Sequence, residues 1–285
     1  MTDEHGGHRA GPPGSSALPD AAPAASPGRD RAHRLARLLE HVRAGAPGTT
    51  SAAELARLLR VSAATVRRDL AVLEDQQLLR RLHGGARALD DGREVPVRYR
   101  GGEQRDAKLA IAREAATRVP LGAHALGLTG GSTTDAVARC LADRSQLTVI
   151  TNALNVALDL ALRPQVKVVM TGGVVRSQSS ELVGPWAEQT LQAVNLGTAV
   201  VGVDGISAAG GLTTHDEVEA AVNAAMIRRA RRTVVVADGT KLGRVRLARI
   251  CAAQDVDELV TDVSAPPAEV EALRRIGLAV TVVEP

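Results

Sequence analysis

The sequence predicts an α/β protein with two folded domains, an N-terminal winged helix-turn-helix and a C-terminal, mostly parallel α/β domain. Three observations lead to this fold class. Two amphipathic segments separated by a tight turn occupy residues 51–74, and a basic segment ending in paired glycines follows them. From residue 105 onward, short apolar strands alternate with helices, which is typical of a parallel sheet covered on both faces. A length of 285 residues agrees with two domains.

Composition divides the chain into four segments. Residues 1–28 are rich in Gly, Pro, Ala and Ser, and we expect a disordered tail. Residues 29–88 form the predicted winged helix-turn-helix, 89–104 a linker, and 105–285 the α/β domain. His5 and His8 in the tail have a spacing that could bind a metal ion, but a solvated tail is the preferred interpretation. We therefore predict no metal site and no cofactor.

The helix-turn-helix is predicted from two helix starts. Ser51 and Glu54 have the spacing of a capping box. Ser62 is a suitable N-cap for a second helix, in which apolar residues recur at i, i+4 and i+7 from Val66. A further helix is expected over residues 31–44, before a Gly-Pro turn. An ordinary helical hairpin has the same periodicity, so the pattern alone leaves both interpretations open.

Polar and basic side chains at the start of the second helix indicate DNA recognition. They lie mostly off the apolar face, where a recognition helix touches base edges and phosphates. Residues 78–87 then fit a β-ribbon, or wing, whose arginines lie along a phosphate backbone. The residues predicted to contact DNA are Ser62, Ala64, Thr65, Arg67, Arg68, Arg80, Arg81 and His83.

Charge and composition narrow the class of partner. The net charge is only +3, but between Arg57 and Arg100 ten arginines face six acidic residues, which is a local basic cluster. Aromatic residues are 1% of the chain, which argues against stacking platforms for single strands or RNA. Without a long apolar run or a signal-like N-terminus, we expect no membrane contact and a cytoplasmic location. Cys140 and Cys251 are expected to be buried thiols.

The α/β half predicts an ordered series of elements. Strands are expected at residues 125–128, 147–150, 166–170, 198–203, 233–237, 259–261 and 279–283. Helices are expected at residues 108–119, 135–141, 185–191, 218–230 and 267–276, with another ending at residue 162. Polar clusters follow the strands, and ligands bind at the carboxyl ends of such strands. We therefore expect the clusters to converge on one rim of the sheet.

The turn at residues 131–134 has the groups that a phosphate needs. Glycine lets backbone N–H groups approach, hydroxyls donate, and a helix N-terminus adds positive potential. Lys241 could add a full charge. Glycine turns after strands are common connections, so it is the alignment of several clusters that favours a site. The residues predicted to bind the ligand are Gly131, Ser132, Thr133, Thr134, Thr151, Asn152, Thr171, Gly172, Gly173, Asp204, Gly205, Thr213, Thr214, Glu219 and Lys241.

The run from Ser62 to Ala86, with an R-R-D-L core leading into R-x-H-G-G-A, closely resembles the winged helix-turn-helix of the DeoR family of bacterial transcription regulators. The second half resembles that family's sensor domain, which is similar in fold to ribose-5-phosphate isomerases. One departure is Gly239-Thr240, where the family usually has two serines, and Leu242 replaces the usual aromatic. The matching stretches are residues 131–134, 149–152, 171–173, 180–185, 202–206, 211–214 and 236–241.

The resemblance implies double-stranded operator DNA and a phosphorylated sugar effector as partners. The leading hypothesis is a transcription regulator, a repressor of carbohydrate metabolism genes and not an enzyme. A homodimer or homotetramer is expected, because one winged helix grips too few bases for tight binding. The alternative is a sugar-phosphate isomerase-like enzyme with an accessory DNA-binding domain, using Asp204, Glu217 or Glu219, and Lys241. A DNA architectural protein is disfavoured by the pattern of a formed pocket.

Overall fold

The N-terminal domain packs three helices against a small antiparallel sheet. A computed structural model describes residues 27–45, 48–89, 94–102 and 104–285, with side chains from residue 31. Residues 1–26 of the predicted tail lie outside the described residues, together with His5 and His8. The elements are α1 (Pro27–Ala44), β1 (Thr50–Ser51), α2 (Ala52–Leu59), α3 (Ala63–Asp75), β2 (Leu79–Leu82) and β3 (Gly85–Ala88). The strand order is β1-β3-β2, so the predicted wing is confirmed.

Local hydrogen bonds explain where the two helices of the motif begin. Ser51 Oγ accepts the Glu54 N–H at 3.1 Å, and Ser62 Oγ accepts the Thr65 N–H at 3.1 Å. Each contact satisfies one of the unpaired N–H groups of a helix start. Arg60 lies between the helices in the left-handed region, at φ 53°. The apolar face predicted from Val66 onward is buried against α1 and α2, which fixes α3 on the domain.

The segment between the domains is anchored in the N-terminal one. Residues Val97–Tyr99 form a single 3-10 turn. The Tyr99 side chain is 4% exposed and belongs to the core of the helix-turn-helix, and its hydroxyl donates to Gln76 Oε1 at 3.0 Å. Tyr99 therefore packs against the N-terminal domain. The Val97 N–H donates to the Gln178 carbonyl at 2.8 Å, which ties the same turn to the C-terminal domain.

The C-terminal domain is built on a parallel sheet of seven strands in the order β15-β14-β12-β9-β4-β5-β6. Every neighbouring pair in this sheet is parallel. Its strands are β4 (His124–Leu128), β5 (Leu147–Thr151), β6 (Val166–Met170), β9 (Thr198–Gly202), β12 (Thr233–Val236), β14 (Glu258–Asp262) and β15 (Ala279–Val283). The chain runs outward from β4 in one direction and from β9 in the other. The topological switch point therefore lies between β4 and β9.

Helices cover both faces of the sheet. They are α4 (Arg105–Ala116), α5 (Ser132–Leu141), α6 (Leu154–Ala161), α7 (Pro185–Gln192), α8 (Glu217–Arg229) and α9 (Pro267–Arg275). Strand side chains alternate between the two cores, so that Val200 lies with α4, α5 and α6 while Val201 lies with α7, α8 and α9. This burial on both faces is why the strands read as continuous apolar runs in the sequence.

Five short strands outside the main sheet were not expected. They are β7 (Val174–Arg176), β8 (Glu181–Val183), β10 (Gly205–Ser207), β11 (Gly211–Thr214) and β13 (Ala248–Cys251). The strands β7 and β8 pair with each other, and β10, β11 and β13 form a second antiparallel sheet. Residues 211–214, one of the stretches that resemble the DeoR family, form β11, the central strand of that sheet. With three or four residues each, these strands are too short to show a period of two.

The expectation of two buried thiols was also wrong. Cys140 is exposed at the end of α5, and Cys251 is half-buried. Burial nevertheless raises the pKa of Cys251 to about 11. The expectation failed for Cys140 because apolar neighbours in the sequence do not define which side of a helix a residue occupies. Cys140 lies on the outer side of α5.

Candidate DNA-binding face and ligand cavity

The start of α3 presents an exposed polar and basic face. Ser62, Ala64, Arg67 and Arg68 are exposed, and Thr65 is half-buried. The Ser62 and Thr65 hydroxyls lie 2.9 Å apart, so these two side chains also stabilise the helix start. The two arginines project from the first two turns, which is where a recognition helix contacts base edges.

A buried ion pair holds this helix in position. Asp69 is 2% exposed, and its Oδ2 accepts the Arg34 Nε–H at 2.6 Å, while Arg31 Nε lies 3.7 Å from Oδ1. Arg31 and Arg34 belong to α1, so the carboxylate of the R-R-D-L core joins α3 to the first helix. Sequence reasoning did not assign Asp69 a role, although a carboxylate beside two exposed arginines was a visible signal.

The wing carries the remaining predicted DNA contacts. Arg80, Arg81 and His83 are exposed. The Arg81 N–H donates to Glu74 Oε1 at 2.8 Å and its guanidinium pairs with Oε2, so Arg81 is engaged with α3. These hydrogen bonds lower the pKa of Glu74. Arg87, which was not predicted, is exposed directly opposite Arg80 on β3 and adds a further positive charge to the wing.

A cavity of about 460 Å³ opens at the carboxyl ends of β4, β9 and β12. It therefore lies at the topological switch point, where open parallel sheets bind ligands. Its wall includes residues from both domains, among them Glu40 and Arg43 of α1. Of the predicted ligand-binding residues, it brings together Gly131, Ser132, Thr133, Thr134, Asp204, Thr214, Glu219 and Lys241.

The remaining predicted residues lie outside the lining of this cavity, and the hydroxyls of two of them bond to the backbone around it. Thr151 Oγ1 donates to the Leu128 carbonyl at 2.7 Å, and Thr213 Oγ1 donates to the Gly205 carbonyl at 3.2 Å. A side chain at Gly173 would meet the Val183 carbonyl oxygen at 2.6 Å. The residues placed outside the lining are Thr151, Asn152, Thr171, Gly172, Gly173, Gly205 and Thr213.

The N-terminus of α5 opens into the cavity. The helix begins at Ser132, three residues earlier than predicted, so the three hydroxyl residues of the turn belong to its first helical turn. Gly131 precedes it at φ 128°, a conformation that favours glycine. No described side chain caps this helix. Its first N–H groups and its dipole are therefore directed at whatever occupies the cavity.

Asp204 is the most heavily paired carboxylate of the cavity. Its Oδ1 accepts Arg100 Nη1–H at 2.9 Å and lies 3.7 Å from Lys241 Nζ, and its Oδ2 accepts the Thr214 hydroxyl at 3.1 Å. Burial raises the pKa of Asp204, but the charges of Arg100 and Lys241 outweigh burial and hold it below its usual value. Asp204 therefore stays ionised.

Arg100 extends this pair into a chain of buried charges. Its Nη2 donates to Glu94 Oε1 at 3.0 Å, and Arg176 Nη1 donates to the same oxygen at 2.9 Å. Arg176 Nη1 also donates to Glu219 Oε2 at 3.1 Å. Glu94 and Arg100 come from the predicted linker, which sequence reasoning treated as a spacer. A charged pair spaced six residues apart in a linker gave no usable signal.

Two further carboxyl groups of the cavity have raised pKa values. Burial, together with the charge of Asp204, raises the pKa of Glu219, whose Oε1 lies 2.6 Å from the Thr214 hydroxyl. Burial and the charge of Glu219 raise the pKa of Glu181 well above its usual value. A hydroxyl has one proton to donate, so Thr214 serves both Asp204 and Glu219 when Glu219 carries a proton.

Comparison with known proteins identifies the chain. Residues 34–91 match the DeoR-like helix-turn-helix domain, and residues 103–263 match the DeoR C terminal sensor domain.

The chain belongs to the DeoR family.

Two transcriptional repressors are similar to the chain along most of their length. The chain is 35% identical over 226 residues to the putative aga operon transcriptional repressor of Escherichia coli O157:H7, covering 78% of this chain and 84% of the relative. It is 33% identical over 207 residues to the glycerol-3-phosphate regulon repressor of Escherichia coli (strain K12), covering 73% and 81%. This DeoR-family chain is therefore a DNA-binding transcription regulator with a sensor domain, and the isomerase-like enzyme is set aside.

Among solved structures, a ribose 5-phosphate isomerase A from Neisseria gonorrhoeae is similar over 50% of this chain and 54% of its own, with 17% identity and a TM-score of 0.35. The DeoR-family assignment makes operator DNA and a small-molecule effector the two classes of partner.

Among the described residues, no group of three or more His, Cys, Asp or Glu side chains could hold a metal ion. In the same part of the chain, no helix is long and apolar enough to cross a membrane.

Proposed function

We propose that this DeoR-family regulator is a repressor of carbohydrate metabolism genes that leaves its operator when a phosphorylated sugar binds. Residues 29–88 would bind DNA and residues 105–285 would sense the effector, joined by residues 89–104, in the cytoplasm where the chromosome lies. The observation that carries this proposal is the cavity itself. It lies at the switch point of the sheet, and α1 of the DNA-binding domain contributes to its wall.

The phosphate would bind at the N-terminus of α5. Residues 131–134 line the cavity there, and they carry backbone amide groups and the hydroxyls of Ser132 and Thr133. Lys241 lines the same cavity and forms a long ion pair of 3.7 Å with Asp204. A phosphate would therefore offer the ammonium group a stronger partner, since charge-assisted hydrogen bonds are shorter and stronger.

The sugar hydroxyls would bind at Asp204 and Glu219. Asp204 Oδ1 is already paired with Arg100 in this structure. A sugar that takes this oxygen must compete with the guanidinium. Arg100 follows directly after Tyr99, whose side chain lies in the core of the DNA-binding domain. Displacing Arg100 would thus disturb the position of the DNA-binding domain.

An effector releases DNA only if it binds the arrangement that is incompetent for DNA more tightly than the competent one. The coupling free energy is expected to be about 1–3 kcal/mol, and operator DNA should weaken effector binding by the same factor. Competition between Arg100 and the sugar for Asp204 supports such a difference in effector affinity. Only the arrangement without the Arg100 contact leaves the carboxylate open to the sugar.

The function is tested by titrating phosphorylated sugars into the regulator bound to its operator. Pentose, hexose and amino-sugar phosphates are first screened by thermal shift, since a ligand that binds the native state raises the apparent stability. Lys241→Ala is expected to bind the operator as wild type does and to need about tenfold more effector for release. Release at the same concentration as wild type would show that the phosphate site is misplaced. If no sugar phosphate changes operator affinity, the proposed function is wrong.

We further propose that the regulator acts as a homodimer or homotetramer held through the sensor domain. A two-fold assembly reads two half-sites and so gains the contacts that a single winged helix lacks. Light scattering at micromolar concentration, with and without DNA, is expected to give at least twice the monomer mass. A monomer under both conditions would refute this assembly.

A further inference from the structure

Among the described residues that line the cavity, three buried side-chain atoms have no hydrogen-bond partner. They are Ser179 Oγ, Glu181 Oε2 and Asn223 Oδ1, and of these residues Glu181 and Asn223 are the most deeply buried, at 1% and 2% exposure. Buried polar atoms are nearly always paired, and an unpaired one costs free energy. Because both residues line the cavity, a ligand there is in a position to supply the missing partners.

The two residues offer complementary chemistry. Glu181 Oε1 accepts the Gly130 N–H, so a proton on this carboxyl group lies on Oε2 and needs an acceptor. Asn223 Oδ1 is an acceptor and needs a donor. Asn223 lies one turn after Glu219 on α8, on the face that lines the cavity. A hydroxyl group both accepts and donates, which matches the needs of the two side chains.

We propose that Glu181 and Asn223 bind a hydroxyl group of the effector, with Glu181 as the hydrogen-bond donor and Asn223 as the acceptor. This inference rests on the proposed sugar-phosphate effector and adds two ligand-binding residues that the sequence did not indicate. The ligand class is a phosphate ester that carries at least one free hydroxyl on its carbon chain.

The surroundings of Glu181 favour the neutral form that donation requires. The charged groups that act on it are Glu219 from α8, Asp204 after β9 and Arg176 from β7. Burial and the two carboxylates raise its pKa, while the Gly130 N–H and Arg176 only partly oppose them. A neutral acid also avoids repelling a phosphate bound at the neighbouring turn, because no second negative charge is present.

The test compares Glu181→Gln with Glu181→Met by isothermal titration calorimetry. Glutamine keeps an acceptor for the Gly130 N–H and a donor toward the cavity, whereas methionine has neither. Glu217→Gln, on the exposed side of α8, is the matched control. The probes are ribose 5-phosphate, glucose 6-phosphate, glycerol 3-phosphate and inorganic phosphate. Melting curves of each variant establish that it is folded.

For the sugar phosphate that binds wild type, glutamine is expected to change affinity by less than about threefold and methionine to weaken it by about tenfold or more. Affinity for inorganic phosphate should not change in either variant. As the pH rises through the raised pKa of Glu181, the acid loses its proton. Wild-type affinity should therefore fall relative to the glutamine variant, in which the donor does not titrate.

Equal sugar-phosphate affinity in Glu181→Met and wild type would overturn the inference and leave the proposed function standing. Loss of inorganic phosphate binding in Glu181→Met would also overturn it, since Glu181 would then act only by holding the Gly130 turn. The inference would also be overturned if the sugar-phosphate affinities of wild type and Glu181→Gln depended on pH in the same way. If no sugar phosphate binds wild type, the proposed function fails first, and this inference fails with it.

Discussion

Arg68→Ala is expected to weaken operator binding by about 1–3 kcal/mol, or roughly 5- to 150-fold, and to relax specificity at one base pair. The residue is exposed near the start of α3, on a helix held in place by the buried Asp69 and Arg34 pair. A rigid helix start lets an arginine make a bidentate contact with guanine, which a flexible one would not maintain. Gel shifts with the operator and with unrelated DNA measure both effects.

Arg231→Ala, an exposed arginine of the sensor domain, is the matched control and should leave operator affinity unchanged. Arg80→Ala on the wing should weaken specific and non-specific DNA alike and lower the salt dependence, because phosphate contacts carry no sequence information. Unchanged operator affinity in both Arg67→Ala and Arg68→Ala would contradict the placement of α3 on the bases.

Arg100→Met is expected to abolish most of the response to the effector while leaving operator binding and effector binding measurable. Methionine keeps the length and apolar stem of the side chain but cannot pair with Asp204 or Glu94. If competition for Asp204 transmits the signal, the coupling should fall from about 1–3 kcal/mol to near zero. Operator titrations at zero and saturating effector give the coupling directly.

Asp204→Asn removes the other partner of the Arg100–Asp204 contact. The double variant that combines it with Arg100→Met completes a mutant cycle. The effects of Arg100→Met and Asp204→Asn on coupling should not add, because both remove one interaction. Arg231→Met, which changes an exposed arginine of the sensor domain, is the control and should keep the response. Additive losses in the double variant would show that the signal takes another route.

The sequence predicted the parts of the molecule that local chemistry determines. The caps at Ser51 and Ser62 fix where α2 and α3 begin, and each was visible as a hydroxyl at the right spacing. The strands of the main sheet were found within two residues of their ends, because burial on both faces makes them continuous apolar runs. The expected rim of polar residues followed from strand direction alone.

The rest depended on contacts between distant parts of the chain. The role of Glu94 and Arg100 depends on their hydrogen bonds with Arg176 and Asp204, which lie about a hundred residues away in the sequence. The strands β10, β11 and β13 are stabilised by pairing with each other, which the sequence of each alone does not show. As part of β11, Thr213 donates to a backbone carbonyl and does not line the cavity. Asn152 shows that position after a strand does not by itself place a residue in the cavity. It follows β5 as expected but does not line the cavity.

The adjacency of Tyr99 and Arg100 also limits how regulators of this kind can be recombined. Tyr99 belongs to the core of one domain and Arg100 to the charge network of the other, with one peptide bond between them. No junction in this stretch leaves both domains intact. A functional hybrid that carries a foreign DNA-binding domain would need to retain Gln76 and the hydrophobic surface around Tyr99, or to import residues 94–100 together with their partners. We therefore expect working hybrids from pairs of regulators that share this connection.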